Sequence, residues 1–298
     1  MQLTGNVAIV TGAGGGLGRA HAEYLARKGA KVAVNDLSPE NVEETVAAIR
    51  AAGGAAIGCV ASVTDEIAVQ RMVDDVVRQW GRIDILVNNA GILRDRSFTK
   101  MSIDEFRLVV DVHLMGSAIC TKAVWDRMRE QNYGRIVMTT SSSGLFGNFG
   151  QANYGAAKMA LVGLMQTLAI EGAKYNIRVN CLAPTAATGM TQDILGADQL
   201  AALAPELVSP ALLLLAGPSA PSRAIVCAGA GHFARSNVTL TDGVFIGAGD
   251  DADEELVRNW EQVSDRAGEI VPDYGFAQAE REVTSASARN PARTAANQ

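Results

Sequence analysis

Short β-branched runs alternate with longer amphipathic stretches along most of this chain, and that alternation leaves few folds open. VAIVTG (7–12), KVAVND (31–36), AAIGCV (55–60), IDILVNNAG (83–91), RIVMTTS (135–141), IRVNCLAP (177–184) and RAIVCAG (223–229) read as strands. PENVEETVAAIRAAGG and DEIAVQRMVDDVVRQWG, between them, read as helices stopped by glycine. Strand–helix–strand repeats require parallel strands joined by crossover helices. The near-continuous hydrophobicity of the strands fits a sheet covered on both faces. The expectation is an α/β chain with one doubly wound parallel-sheet domain over 1–250 and helices on both faces. A C-terminal extension over 251–298 follows. In it DDADEELVRNWEQVSDRAG reads as a helix with an acidic first turn, and from about Thr284 the sequence reads as a loose polar tail.

With 298 residues, 48% of them hydrophobic and only 5% aromatic, the chain has enough apolar surface for a large core. A formal charge of −6 argues against a nucleic-acid partner. Cys59, Cys120, Cys181 and Cys227 are far apart in apolar settings, which reads as buried thiols in a reducing compartment, with no metal. The N-terminus runs into VAIV with no basic region before a long apolar stretch, so no signal peptide is expected. The apolar run at LLLLA (212–216) is too short to span a bilayer. A soluble cytoplasmic protein acting on a small molecule is expected.

TGAGGGLG (11–18) links the first strand to the first helix. Its pattern is Thr-Gly-x-x-x-Gly-x-Gly, using Gly12, Gly16 and Gly18 around Leu17. Glycines there allow a tight turn and let the backbone approach a pyrophosphate at a helix N-terminus. The same residues also suit an ordinary turn, but their position between strand and helix favours a Rossmann-type dinucleotide site. Asp36 ends the second strand 24 residues after Gly12, where an acidic residue can accept hydrogen bonds from the adenosine ribose. A carboxylate there repels a 2′-phosphate, so NAD(H) is the expected cofactor. NNAG, with Asn89, Ala90 and Gly91, closes the fourth strand at the carboxyl edge where such ligands sit.

TGAGGGLG, Asp36, NNAG, a serine 13 residues before a tyrosine, and YGAAK occur in an order and spacing that resembles the short-chain dehydrogenase/reductase family over roughly residues 3–250. A narrower likeness runs through NNAGILRDRSF, DVHLMGS, YGRIVMTTSSSG, GNFGQANY and LAIEGAKYNI. These resemble the (3R)-hydroxyacyl-CoA dehydrogenase part of peroxisomal multifunctional enzymes of type 2, also described as 17β-hydroxysteroid dehydrogenases. The resemblance implies hydride exchange between an alcohol or ketone and NAD(H), in a homodimer or homotetramer built through helices near 102–131 and 152–175.

Tyr154 and Lys158 are four apart and share a helix face. A free tyrosine, with a pKa of about 10, is poorly matched to neutral acid–base work, and a nearby ammonium is expected to lower it. The resemblance makes Tyr154 the proton acceptor or donor and Lys158 a holder of the nicotinamide ribose. It selects Ser141, 13 residues before Tyr154, as the group bonded to the substrate oxygen, with Ser143 as a second group within reach. It also implies cofactor contacts from Ser62 and Val63, where an Asp near the adenine is usual, and from Pro184 and Thr188. His113 stands where the family usually has Asn. An imidazole that titrates near neutral pH suits a water relay to the lysine, and a buried structural histidine is the alternative.

Residues 189–217 occupy the family's substrate-lid region, where Leu195, Leu200, Leu203 and Leu207 suit an acyl chain or steroid but suit a packed helix pair equally. Arg94, Arg96 and Lys100 read either as a CoA-phosphate site or as solvated charges. The rival from another class is a nucleotide-binding protein without turnover, against which the intact Ser141–Tyr154–Lys158 set argues.

Overall fold

The computed structural model of the chain describes residues 2–187, 200 and 202–289. All seven expected strands form: β1 (Val7–Thr11), β2 (Lys31–Asp36), β3 (Ala55–Val60), β4 (Ile85–Asn88), β5 (Gly134–Thr139), β6 (Ile177–Thr185) and β7 (Ile225–Gly229). They pair in parallel in the order β3-β2-β1-β4-β5-β6-β7. Alternate residues of each strand feed two cores. Ala8, Val10, Val32, Val34, Ile85 and Val87 face α1 (Gly16–Arg27), α2 (Pro39–Ala51) and a helix at Ser209–Ala216. Val7, Ile9, Leu86, Ile136 and Met138 face the opposite side, covered by α3 (Glu66–Trp80) and the helices at 116–131 and 152–172. Burial on both faces explains why the strands carry no polar alternation.

One strand was not legible. β8 (His232–Ser236) pairs antiparallel with β7 at the sheet edge. The two-residue connection has positive φ at both Ala230 (+50) and Gly231 (+73), as a tight hairpin of this twist requires. Ala is a poor signal for that conformation, and most of β8 is exposed, so neither turn chemistry nor hydropathy announces the hairpin.

The long helix ahead of β5 is continuous but not uniform. α4 (Ile103–Val110) starts with a capping box between Ser102 and Glu105, passes through a π-helical turn at Asp111–Met115, and continues as α5 (Gly116–Gln131). The helix over residues 103–131 holds an 18-residue window of mean hydropathy 1.3, so by length and composition it meets the requirement for crossing a membrane, although no unbroken apolar run marks it. Val109, Cys120, Val124 and Met128 nevertheless lie buried, and α5 packs on β4 and β5. α6 (Ser142–Phe146), α7 (Ala152–Gly172) and α8 (Ser209–Ala216) complete this unit's described α-helices used below. Within the expected lid region, α8 is a core helix, with Leu212 and Leu215 fully buried. Leu195 lies outside the described residues.

The chain divides into two compact units, Met1–Ser236 and Asn237–Gln298, rather than at the composition change near 250. In the second unit, α9 (Ala252–Arg258) and α10 (Trp260–Val263) form where the acidic segment was expected to be helical. α11 (Ala277–Arg289) runs through Thr284, where a loose tail was expected; the Thr284 hydroxyl is tied back to the carbonyl of Glu280 at 2.7 Å. Residues 290–298 lie outside the described residues.

At the amino edge of the sheet, Arg135 is 1% exposed. Its guanidinium donates to the carbonyls of Gly134 (2.7 Å), Asn176 (2.7 Å), Gly217 (3.0 Å) and Pro218 (3.0 Å), and lies over the Tyr133 ring. One side chain thereby joins β5, the start of β6 and the end of α8. Arg135→Met keeps much of the volume but strands several buried acceptors, so it is expected to lower the unfolding free energy by at least ~3 kcal/mol. Urea denaturation followed by circular dichroism measures this; an unchanged midpoint would remove the role.

Candidate active site

Strand order reverses between β1 and β4, and a cavity of about 560 Å3 opens beyond their carboxyl ends. Gly12, Gly16, Leu17, Gly18 and Asp36 line one end of it, and Ser141, Tyr154, Lys158 and Pro184 the other. Asn89, Ala90, Gly91 and His113 line it as well. A Cβ on Gly18 would sit 2.1 Å from the carbonyl oxygen of Gly12, so only glycine allows the loop and α1 to close this tightly. Asp36 holds the loop from β2: Oδ2 accepts from the Gly14 N–H at 3.0 Å and Oδ1 from the Leu37 N–H at 2.7 Å. Two expected contacts are not brought to the cavity lining. The Ser62 hydroxyl pairs with that of Thr64 at 2.8 Å, while Val63 is buried against Gly116. Thr188 lies outside the described residues.

Ser141 caps α6, and its Oγ accepts the N–H of Ser143 at 3.2 Å. Tyr154 and Lys158 lie on the first turns of α7, as their spacing requires. Their electrostatics differ from expectation. The Lys158 ammonium donates to the carbonyl of Thr139 at 2.6 Å and lies 5.4 Å from the centre of the Tyr154 ring. Burial pushes its pKa down to about 7. The Tyr154 phenol is raised above its ordinary value rather than lowered. Burial is the main cause, the Ser141 hydrogen bond opposes it, and the charge of Asp95 adds to it. Residue spacing showed that lysine and tyrosine would meet, but not that both would be desolvated.

His113 sits in the π-helical turn, a geometry that often marks functional positions. Its Nε2 lies 2.8 Å from the Ile92 carbonyl oxygen and 3.0 Å from the Ile92 nitrogen. A protonated Nε2 donates to the carbonyl; a bare one accepts from the amide, so the tautomer selects one bond. Nδ1 is buried and has no hydrogen-bond partner among the described residues. The ring stands edge-on to Tyr154, with centroids 5.2 Å apart at 89°. A Cβ on Gly91 would come within 2.3 Å of its Cε1. Burial first, then the charge of Lys158, push its pKa down to about 3, so it does not titrate near neutral pH as expected.

A model of the family described as short chain dehydrogenase matches residues 6–198. The chain belongs to the short chain dehydrogenase family. This dehydrogenase is 44% identical over 284 residues to mouse peroxisomal multifunctional enzyme type 2, in a match covering 91% of the chain and 38% of that enzyme. Among solved structures it resembles full-length peroxisomal multifunctional enzyme type 2 from Drosophila melanogaster, with a TM-score of 0.82 and 37% identity over 97% of this chain and 50% of that one. It also resembles a 7α-hydroxysteroid dehydrogenase complexed with NADH and 7-oxo glycochenodeoxycholic acid, with a TM-score of 0.72 and 29% identity over 77% of this chain and 95% of that one. The chain therefore spans well under two thirds of the multifunctional relatives it matches.

The dehydrogenase also carries polar groups in this region that motif spacing did not reveal. Gln151 donates through Nε2 to Asp95 at 2.6 Å, and its Oε1 accepts from Ser143 at 2.7 Å and Asn148 at 3.1 Å. The Ser143 hydroxyl is thus committed to Gln151. Arg96 is paired with Glu105 at 2.8 Å, and Arg94 donates to the carbonyl of Leu93.

Two buried histidines set an acid limb for this dehydrogenase. His21, on α1 against Ser209, is also pushed down to about 3 by burial. Both rings stay neutral in the fold while an unfolded histidine, with a pKa of 6.5, binds a proton, so stability falls as pH drops from 6.5 towards 3. Each contributes at most about 1.4 kcal/mol per pH unit in that window. Lys158 continues the trend, since stability rises with pH between about 7 and its ordinary 10.5. His21→Gln is expected to flatten the plot of urea midpoint against pH between 4 and 6; an unaltered slope would exclude its share.

Proposed function

We propose that this short chain dehydrogenase uses NAD(H) to interconvert a secondary alcohol and a ketone on an apolar or bulky substrate. A 3-hydroxyacyl-CoA is the first candidate and a hydroxysteroid the second. The observation that carries the reading is the convergence of Ser141, Tyr154 and Lys158 at one end of a cleft whose other end holds the glycine loop and Asp36.

The chain's residues fit a dinucleotide. The backbone crowding at Gly18 and the N-terminus of α1 suit a pyrophosphate. Asp36, at the end of β2, retains lone pairs for ribose hydroxyls and disfavours a 2′-phosphate. When bound, the nicotinamide supplies the hydride acceptor or donor. Tyr154 takes the alcohol proton as the phenolate during oxidation, so it must first lose its own proton, and as the phenol it gives that proton to the ketone oxygen during reduction. Ser141 hydrogen-bonds the substrate oxygen, and Lys158 holds the ribose side of the cleft. His113 acts as a neutral group, through its Nδ1, which has no partner among the described residues, and its edge contact with Tyr154. Leu93 lines the cavity, and the exposed Phe146 and Phe149 flank the loop beside it, giving an apolar approach. The hydroxysteroid candidate is supported by the likeness to the bile-acid-bound 7α-hydroxysteroid dehydrogenase. Exposed Leu108 and Met115 on the α4–α5 helix, with Met159 and Ile170 on α7, suit a homodimer or homotetramer.

A panel of secondary alcohols, including 3-hydroxyacyl-CoA esters and hydroxysteroids, is incubated with NAD+ while NADH absorbance is followed. Turnover of one of these two classes is the expected result, and silence across the panel would count against the reading. Tyr154→Phe is expected to lower turnover by ~10²–10⁴-fold while NADH binding, measured by fluorescence titration, stays intact. Asp36→Ala is expected to shift preference from NAD+ towards NADP+; an unchanged ratio of kcat/KM values would remove its role.

A further inference from the structure

The mechanism above asks Ser141 to present its hydroxyl to a substrate oxygen, but a serine hydroxyl rotates freely unless something fixes it. It has one proton and two lone pairs to distribute. The Ser143 N–H takes one of those lone pairs at 3.2 Å. That leaves the proton and the remaining lone pair for Tyr154, whose phenol is favoured in its charged form by Ser141, and for substrate. The aim of Ser141 therefore depends on where the Ser143 amide is held.

Ser143 is held by its own side chain. Its hydroxyl donates to Gln151 Oε1 at 2.7 Å, and Asn148 Nδ2 reaches the same oxygen at 3.1 Å. Gln151 is almost fully buried and immediately precedes α7, and its carbonyl accepts the Gly155 N–H at 2.7 Å in the turn that carries Tyr154. An amide in this position can flip, exchanging its donor and acceptor ends. Asp95 prevents that. A carboxylate only accepts, so the amide nitrogen must face Asp95 Oδ2, 2.6 Å away, and the amide oxygen must face Ser143. Asp95 is itself anchored, because the segment around it is fastened to the same loop by Arg96 N–H to the Gly150 carbonyl (2.9 Å) and Asn153 Nδ2 to the Arg94 carbonyl (3.0 Å).

We propose that Asp95, Gln151 and Ser143 form a positioning brace that aims the Ser141 hydroxyl at the substrate oxygen. The proposal rests on the alcohol–ketone reaction inferred above and deepens it. Asp95 fixes the sense of the Gln151 amide, Gln151 fixes the Ser143 side chain, and the Ser143 amide fixes Ser141. None of the three brace residues needs to touch substrate. The run of three serines therefore contains one group that meets substrate and one that steers it.

A charge-exchange pair tests the brace in the full-length protein, with NAD+ and the best alcohol from the panel. Gln151→Glu sets two carboxylates against each other and breaks the link to Asp95. It is expected to lower kcat about tenfold, leave NADH affinity unchanged, and speed deuterium exchange in the peptide containing the Ser143 amide. Adding Asp95→Asn restores a donor opposite the new carboxylate. The double variant should then recover kcat to within about twofold of the unmodified protein and regain slow exchange. Asp95→Asn alone keeps an acceptor for Gln151 but no longer excludes the flipped amide, so exchange at the Ser143 amide should be faster than in the unmodified protein and slower than in Gln151→Glu. Melting temperatures confirm that each variant is folded. The brace is overturned if Gln151→Glu matches the unmodified protein in both kcat and exchange, or if the double variant is no better than Gln151→Glu. Recovery of exchange without recovery of kcat overturns the steering role while leaving the reaction standing. A silent panel overturns the reaction itself, and the steering role with it.

Discussion

The hydroxyl of Thr11 joins the two halves of the sheet at the point where strand order reverses. It donates to the carbonyl of Val87 and accepts the N–H groups of both Asn89 and Ala90, while the Asn89 amide returns to the carbonyls of Thr11 and Gly12. The helices after β1 and β4 leave on opposite faces, so the backbone must part there, and an unsupported parting would expose unpaired polar groups. The Thr11–Asn89 exchange satisfies those groups and sets the width of the crevice. Gly12 and Gly18 on one lip, and Gly91 with His113 on the other, are held in register by it. The cleft is therefore a consequence of how β1 and β4 end, and Ser141, Tyr154 and Lys158 are added to its lining from the end of β5 and from α7.

Much of this was legible in the sequence because local rules suffice for it. The strands follow from β-branched runs, the glycine loop from its place between a strand and a helix, and the convergence of Ser141, Tyr154 and Lys158 from spacing that resembles a known family. What was missed depends on long-range or unusual geometry. The β7–β8 hairpin turns on an alanine at positive φ. The π-helical turn under His113 carries no compositional mark. The Asp95–Gln151 bond joins residues 56 positions apart. Ser62 and Val63 were carried across by resemblance, yet their surroundings here are a hydroxyl pair and a core contact.

The sequence also misjudged the electrostatics, and for one reason. Titration expectations from spacing assume that charges meet in a solvated setting, whereas Lys158, His113 and Tyr154 share a dry floor. Burial lowers the lysine to about 7 and the histidine to about 3, and raises the phenol. In each case it favours the neutral form. The floor of the cleft thus resists holding charge, and the charge of Asp95 holds the Tyr154 phenol further above its ordinary value.

The π-helical turn at Asp111–Met115 has an effect well beyond His113. A wide turn inserts one residue into the helical count, which swings everything after it by about 100° relative to what precedes it. An unbroken α-helical count would therefore put the buried faces of α4 and α5 out of phase, and the wide turn is what brings Val109, His113, Ser117, Cys120, Val124 and Met128 to the buried side together. The segment is thus two amphipathic rods joined by a dislocation, with charged residues at both ends of an apolar middle. Removing one residue from the turn would give a continuous α-helix that keeps both buried faces on the domain, whereas tightening the turn without that deletion would swing either α4 or α5 by about 100° and turn its greasy side away.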